Sequence, residues 1–154
     1  MNMQYTGKNT AQISFPLGGI GTGCIGLGGN GGFMDIEIQN RPNKNTTGEF
    51  THFAIKAEDE NGVMDARVLQ GDLERDFIGC TERPLYTGYG FGPDRGTMAG
   101  FPHFEETSFS GEYPVAVLSF KDRHFPGTIE MTAFNPLIPT NEDDSSIPAA
   151  FFKF

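Results

Sequence analysis

The sequence predicts an all-β fold, an antiparallel β-sandwich that is an incomplete part of a larger sandwich domain. Three observations predict it. Short runs alternate apolar and polar residues, the two-residue period of strands with one buried face. Pro42, Pro84, Gly111, Pro114, Pro126-Gly127, Pro136 and Pro139 break the chain at intervals that suit short strands. No stretch of a dozen residues sets apolar side chains at helical spacing behind a capping start.

Each element has its own pattern. Met34, Ile36 and Ile38 alternate with Asp35 and Glu37, predicting a strand with its apolar side inward. Phe53, Ile55 and Ala57 alternate with His52, Ala54 and Lys56, and Met64, Ala66 and Val68 alternate with Asp65 and Arg67. A short acidic loop ending in Asn61-Gly62 joins these two runs, which predicts a hairpin. Val115 to Phe120 is apolar on both sides except at Ser119, the mark of a strand covered on both faces. Ile129, Met131 and Ala133 alternate with Thr128, Glu130 and Thr132. Ile147 to Phe154 reads as a final, Phe-rich strand. An unpaired strand of that kind is an aggregation-prone edge, so the sequence reads as the front part of a longer protein. Residues 1–12 form a polar N-terminal segment, and 13–154 the sandwich portion. Two regions fit no strand meander: the glycine-dense block Gly18 to Gly32, and Gly71 to Gly100, which is long for a structureless connection.

Composition excludes several function classes. Twenty acids against 11 Lys and Arg give the 154 residues a net charge of −9, which cannot neutralise nucleic-acid phosphates. No run approaches the roughly 20 apolar residues of a membrane helix, and Met1 to Gln12 lacks the apolar centre of a signal peptide. Cys24 and Cys80 lie in no metal or redox pattern, so they are expected to be reduced thiols in a cytoplasmic protein.

The chemical motifs point away from catalysis. Gly21-Thr22-Gly23-Cys24-Ile25-Gly26 satisfies GxGxxG, but the glycines that follow would not sustain the helix a dinucleotide site needs. They suit a strand or hairpin where another backbone approaches closely. Asp35 and Glu37 are two apart on a predicted strand, hence about 6.5–7 Å apart on one face. That spacing falls in the ~6.5–9.5 Å range of inverting glycosidases, but such carboxylates face each other across a sugar, whereas these stand in parallel. A structural network with Arg41, or a place on a substrate rim, suits Asp35 and Glu37 better. His52, His103 and His124 have no metal-ligand spacing, and Glu142-Asp143-Asp144 lacks the order of a calcium loop. No metal and no cofactor is expected. Tyr86, Tyr89 and Phe91, set among Gly88, Gly90 and Gly92, are candidates for stacking on a sugar ring.

Longer words then recur in order: Ile13-Ser14-Phe15-Pro16-Leu17-Gly18-Gly19-Ile20-Gly21-Thr22-Gly23, the glycines to Gly32, and Asp35-Ile36-Glu37-Ile38-Gln39-Asn40-Arg41-Pro42-Asn43-Lys44. Phe101-Pro102-His103-Phe104, Phe109 to Pro114, Ala133 to Pro139 and Asp144 to Pro148 follow. From about Ile13 onward the chain resembles the N-terminal domain of glycoside hydrolase family 116, the β-glucosidases that include the non-lysosomal glucosylceramidase. The resemblance implies a β-sandwich packed against a C-terminal (α/α)6 barrel that carries the nucleophile and the acid/base. Neither catalytic motif occurs in this sequence, so it implies no catalytic residue here. Where the family has Trp and Phe, this chain has Ile36 and Gln39, which marks a divergent member.

The expected role is therefore a non-catalytic portion of a retaining β-glycosidase, bracing the barrel and shaping its entrance. Asp35, Glu37, Arg41, Tyr86, Tyr89 and Phe91 are the rim candidates. The barrel of the same protein is the expected partner, with a β-glucoside met through it. The alternatives are a stand-alone carbohydrate-binding module and a protein that self-associates through its terminal strand.

Overall fold

The computed structural model describes residues 3–44, 46, 48, 50–72 and 97–154. They form strands β1 (Tyr5–Thr6), β2 (Ser14–Leu17), β3 (Cys24–Gly28), β4 (Phe33–Glu37), β5 (Ala54–Asp59), β6 (Gly62–Val68), β7 (Glu106–Glu112), β8 (Val115–Lys121), β9 (Thr128–Phe134) and β10 (Phe151–Lys153). One helical turn, α1 (Glu142–Ser145), precedes β10. A five-stranded antiparallel sheet runs β1-β7-β8-β9-β10, a three-stranded one runs β2-β3-β4, and β5-β6 is a hairpin. The fold is an all-β sandwich, as its alternating pattern predicts.

The core lies between the two larger sheets. Ala116, Leu118 and Phe120 of β8 and Met131 and Ala133 of β9 are fully buried, and Phe15, Leu17 and Leu27 meet them from β2 and β3. Phe15 lies 6.0 Å from Phe109 between ring centroids. Gly31 has room for no side chain, because a Cβ would come within 2.8 Å of the Phe120 ring, and its φ of +91° suits glycine. The predicted role of the glycine block, close approach in a hairpin, therefore holds in β3-β4.

Four details differ from the sequence reading. β8 is not covered on both sides: Val117 and Ser119 are half-buried and Val115 is exposed, because the second sheet packs on one face only. In β4 the period breaks at Asp35, whose left-handed φ of +48° buries the acid and leaves Ile38 exposed. In β6 Met64 and Ala66 face outward, while Asp65 and Arg67 turn inward beside Ile55 and Ala57, their partners in register. The inner polar pair is tolerated because its charges are matched. The last strand is shorter than expected, since pairing with β9 begins only at Phe151. Its alternation still sorts the rings: Phe152 packs inward on Phe33 and Phe53, and Phe151 stacks on Phe134 at 5.3 Å.

Candidate functional site

Three segments far apart in sequence meet at one end of the sandwich: the β2-β3 loop Gly18–Gly23, β4 with the turn to Lys44, and Asn135–Ile147. Buried Asn135 ties the first to the third. Its Oδ1 accepts from the Gly18 N–H at 2.6 Å, and its Nδ2 donates to the Pro16 carbonyl at 2.9 Å. Two backbone groups at the end of β2 are thereby satisfied. Next, the Ile20 N–H donates to the Ser145 carbonyl at 2.9 Å, and the Ser145 hydroxyl bonds both the N–H and the carbonyl of Ile138. Gly19 permits this approach, since a Cβ there would lie 2.6 Å from the Ser146 carbonyl. Gly23 closes the loop against β4, with the Glu37 carbonyl 2.8 Å from where its Cβ would sit. Asn141 caps α1 by accepting from the Asp144 N–H, which starts the turn that delivers Ser145.

Asp35 and Glu37 end in different surroundings. Asp35 is buried; its Oδ2 accepts from the Ser14 hydroxyl at 2.8 Å, and Oδ1 is buried with no hydrogen-bond partner. Glu37 is half-exposed, 2.5 Å from the Lys44 ammonium, and accepts from the Asn43 N–H. That ammonium, and then the Asn43 N–H, hold the Glu37 carboxyl below its ordinary range. Glu37 in turn raises Lys44. Burial pushes the Cys24 thiol up, with Lys44 opposing. The expected network with Arg41 does not form. Left-handed Gln39 and Asn40, with φ of +56° and +54°, fold the chain back so that Lys44 takes the partner's place, and Arg41 is exposed. Tyr86, Tyr89 and Phe91 lie outside the described residues.

A second cluster sits at the hairpin. The nearly buried Arg67 guanidinium reaches the Asp65 and Asp122 carboxylates, each at 2.7 Å, and the His103 carbonyl at 2.7 Å, and it lies 5.7 Å from the Phe104 ring centroid. Burial pulls Asp122 up, but the N–H groups of His124 and Glu105 and the Arg67 charge outweigh it and leave its carboxyl below the ordinary range. Beside this cluster opens a cleft of about 340 Å³, whose lining includes Phe101, His103, Glu105, Arg123 and His124. Among the described residues no three His, Cys, Asp or Glu side chains gather as metal ligands. Among them too, no helix is long and apolar enough to cross a membrane.

Sequence reasoning missed Ser14, Asn135, Ser145 and Arg67. Asn135 had a usable signal, a polar residue before Pro136 directly after a strand. The Arg67 cluster had none, because its second acid is 55 residues away.

A family model described as beta-glucosidase 2, glycosyl-hydrolase family 116 N-term, matches residues 14–154. No curated protein matches the chain.

Proposed function

From the premise that the chain belongs to glycosyl-hydrolase family 116 through its N-terminal domain, we propose that it is the non-catalytic part of a retaining β-glucosidase, bracing the catalytic domain. The family match carries this reading. The state of the two candidate acids supports it: a retaining glycosidase needs one carboxylate free to attack and another free to protonate, roughly 5–5.5 Å apart. Asp35 is sunk beneath the surface on Ser14, and Glu37 is occupied by Lys44 and Asn43. Neither is poised for a glycosidic bond. Glu37 and Arg41 keep a place at the rim of a substrate entrance, shaping it without chemistry. A glucosylceramide substrate, a cytoplasmic site and a role in carbohydrate metabolism belong to this same reading.

An aryl β-glucoside assay tests it. Residues 1–154 alone are expected to be inactive, and a longer protein from the same source active. Turnover by residues 1–154 that disappears in Asp35→Asn or Glu37→Gln overturns the reading.

A second reading, a carbohydrate-binding module, draws on Phe101, which is 59% exposed beside the cleft at His103 and Arg123. Exposed rings of this kind stack on flat sugar faces. Calorimetric titration with β-gluco-oligosaccharides tests it; unchanged heats in Phe101→Ala end it.

A further inference from the structure

The free edge of β7 is not covered along its whole length. At one end Phe104 pairs with the backbone of Gln70 to Asp72, donating to the Gln70 carbonyl at 2.8 Å and accepting from the Asp72 N–H at 2.9 Å. At the other end Ser108 and Phe109 face Thr6 and Tyr5 of β1. Between them, Glu105 to Thr107 have no neighbouring strand on that side among the described residues. Backbone groups alternate sides along a strand. The Glu105 N–H turns toward the end of β8, where it donates to Asp122 Oδ2 at 3.3 Å, while the Phe104 groups turn to the open side. Glu106 therefore presents both its N–H and its carbonyl to the gap, and neither bonds another described residue. A rigid strand thus holds out one backbone donor and one acceptor side by side.

A cleft of about 500 Å³ opens at this gap, within the ~300–1,000 Å³ of small-molecule sites. Its walls are pinned: the Gly71 N–H donates to the Asn30 carbonyl at 2.7 Å, and the Thr10 hydroxyl donates to the Gly7 carbonyl at 2.8 Å. Ser119 and Lys121 line it from the sheet, and Lys121 forms no ion pair among the described residues. The Thr107 hydroxyl, also in the lining, is buried with no hydrogen-bond partner. Among the described residues the lining holds no aromatic ring and no Val, Leu, Ile or Met, so an apolar ligand gains little there. Its charges are nearly balanced: Lys121 stands across from Glu106 in register, and Arg123 meets Glu105. That favours neither a strong anion nor a strong cation. The gap is closed at one end by Thr6 and at the other by Asp72, so an extended peptide cannot run through it. A compact neutral ligand that offers several donors and acceptors at once meets all of these conditions. We propose that this cleft binds a neutral polyhydroxyl compound of sugar size, its adjacent hydroxyls meeting the Glu106 N–H and carbonyl and the Lys121 ammonium. The site lies on this chain alone and does not rest on the brace reading. Asp72 and Glu105 also border the cleft at Phe101, so the two clefts must be told apart.

Amide NMR titration of residues 1–154 with D-glucose, D-galactose and myo-inositol tests the site. At least one of them is expected to give saturable shifts at the Glu106 and Ser108 amides while the Met64 amide on the hairpin stays put. Lys121→Met removes a charged donor and Ser119→Leu fills the cleft, so each should weaken that binding about tenfold or more. The Leu27 and Met131 amides, in the core, report that each variant is folded. Phe101→Ala should leave the binding unchanged. No saturable shift at Glu106 with any of the three compounds overturns the proposal. So does saturation by spermidine alone, which marks a cation site, or wild-type affinity in both folded variants. A loss in Phe101→Ala equal to that in Lys121→Met also overturns it, by moving the ligand to the other cleft.

Discussion

The two ends of this sandwich are held by different chemistry. At the Gly18–Gly23 end the ties are neutral: an asparagine amide, a serine hydroxyl and backbone N–H groups. At the hairpin end one guanidinium between two carboxylates does the equivalent work. Neutral ties ignore pH and salt, whereas the ionic cluster is sound only while its acids stay ionised. The loop end is therefore built on amides, and the matched charges sit where a hairpin is pinned to the sheet.

Removing the guanidinium should break the comparison hardest. Arg67→Met leaves two acids without their shared partner, so about 3–5 kcal/mol of stability should be lost in urea titration. The wild type carries the related acid sensitivity. Because the Asp122 carboxyl is held below its ordinary value, its contribution is complete above roughly pH 4, where an unfolded Asp is ionised. It disappears as pH falls through the lower folded value, so urea midpoints should drop in that window and drop less in Arg67→Met. Asn135→Ala comes next. It strands the Gly18 N–H and the Pro16 carbonyl, costing about 2–3 kcal/mol by the same titration, and the loss should be equal at pH 7 and pH 5 and unaffected by 1 M salt.

Asp35→Asn should change unfolding by less than about 1 kcal/mol. Asn tolerates the left-handed backbone, can still accept from Ser14 and removes a half-matched buried charge. Asp35→Val should cost about 2 kcal/mol, since a β-branched residue is strained there. The smallest effect belongs to Lys44→Ala, which should leave thermal unfolding unchanged. An NMR titration should find Glu37 moved up toward the ordinary carboxylate range once the ammonium is gone.

Legibility in the sequence followed the same division. β9 was readable from its period because Met131 and Ala133 point at one core and Glu130 at solvent. The hairpin was readable as a hairpin, but its inner face was not. The pattern favours burying Met64, while the guanidinium between Asp65 and Asp122 puts Arg67 inside instead, and Asp122 is invisible from β6. Asp35 misled for a local reason: a positive φ turns the next residues over, and no period announces it. Ile20, Ile38, Ile138 and Ile147 lie in connections, where spacing carries no information about which segments meet. The family words were legible as words; that Asn135 and Ser145 sew them to Gly18 and Ile20 is decided by the fold.

The pairing of β1 with β7 has a consequence for how the molecule is made. Tyr5 lies opposite Phe109, and the Pro16 and Gly18 ties wait for Asn135, 119 and 117 residues later. The β2-β3-β4 meander and the β5-β6 hairpin can close as soon as they leave the ribosome, but the first strand stands idle until Phe109 has been synthesised. Loop-closure entropy over such separations makes these the slow steps. The ties that hold Gly18 and Ile20 thus close late, and only the pairing of Phe151–Lys153 with β9 draws on residues made later still.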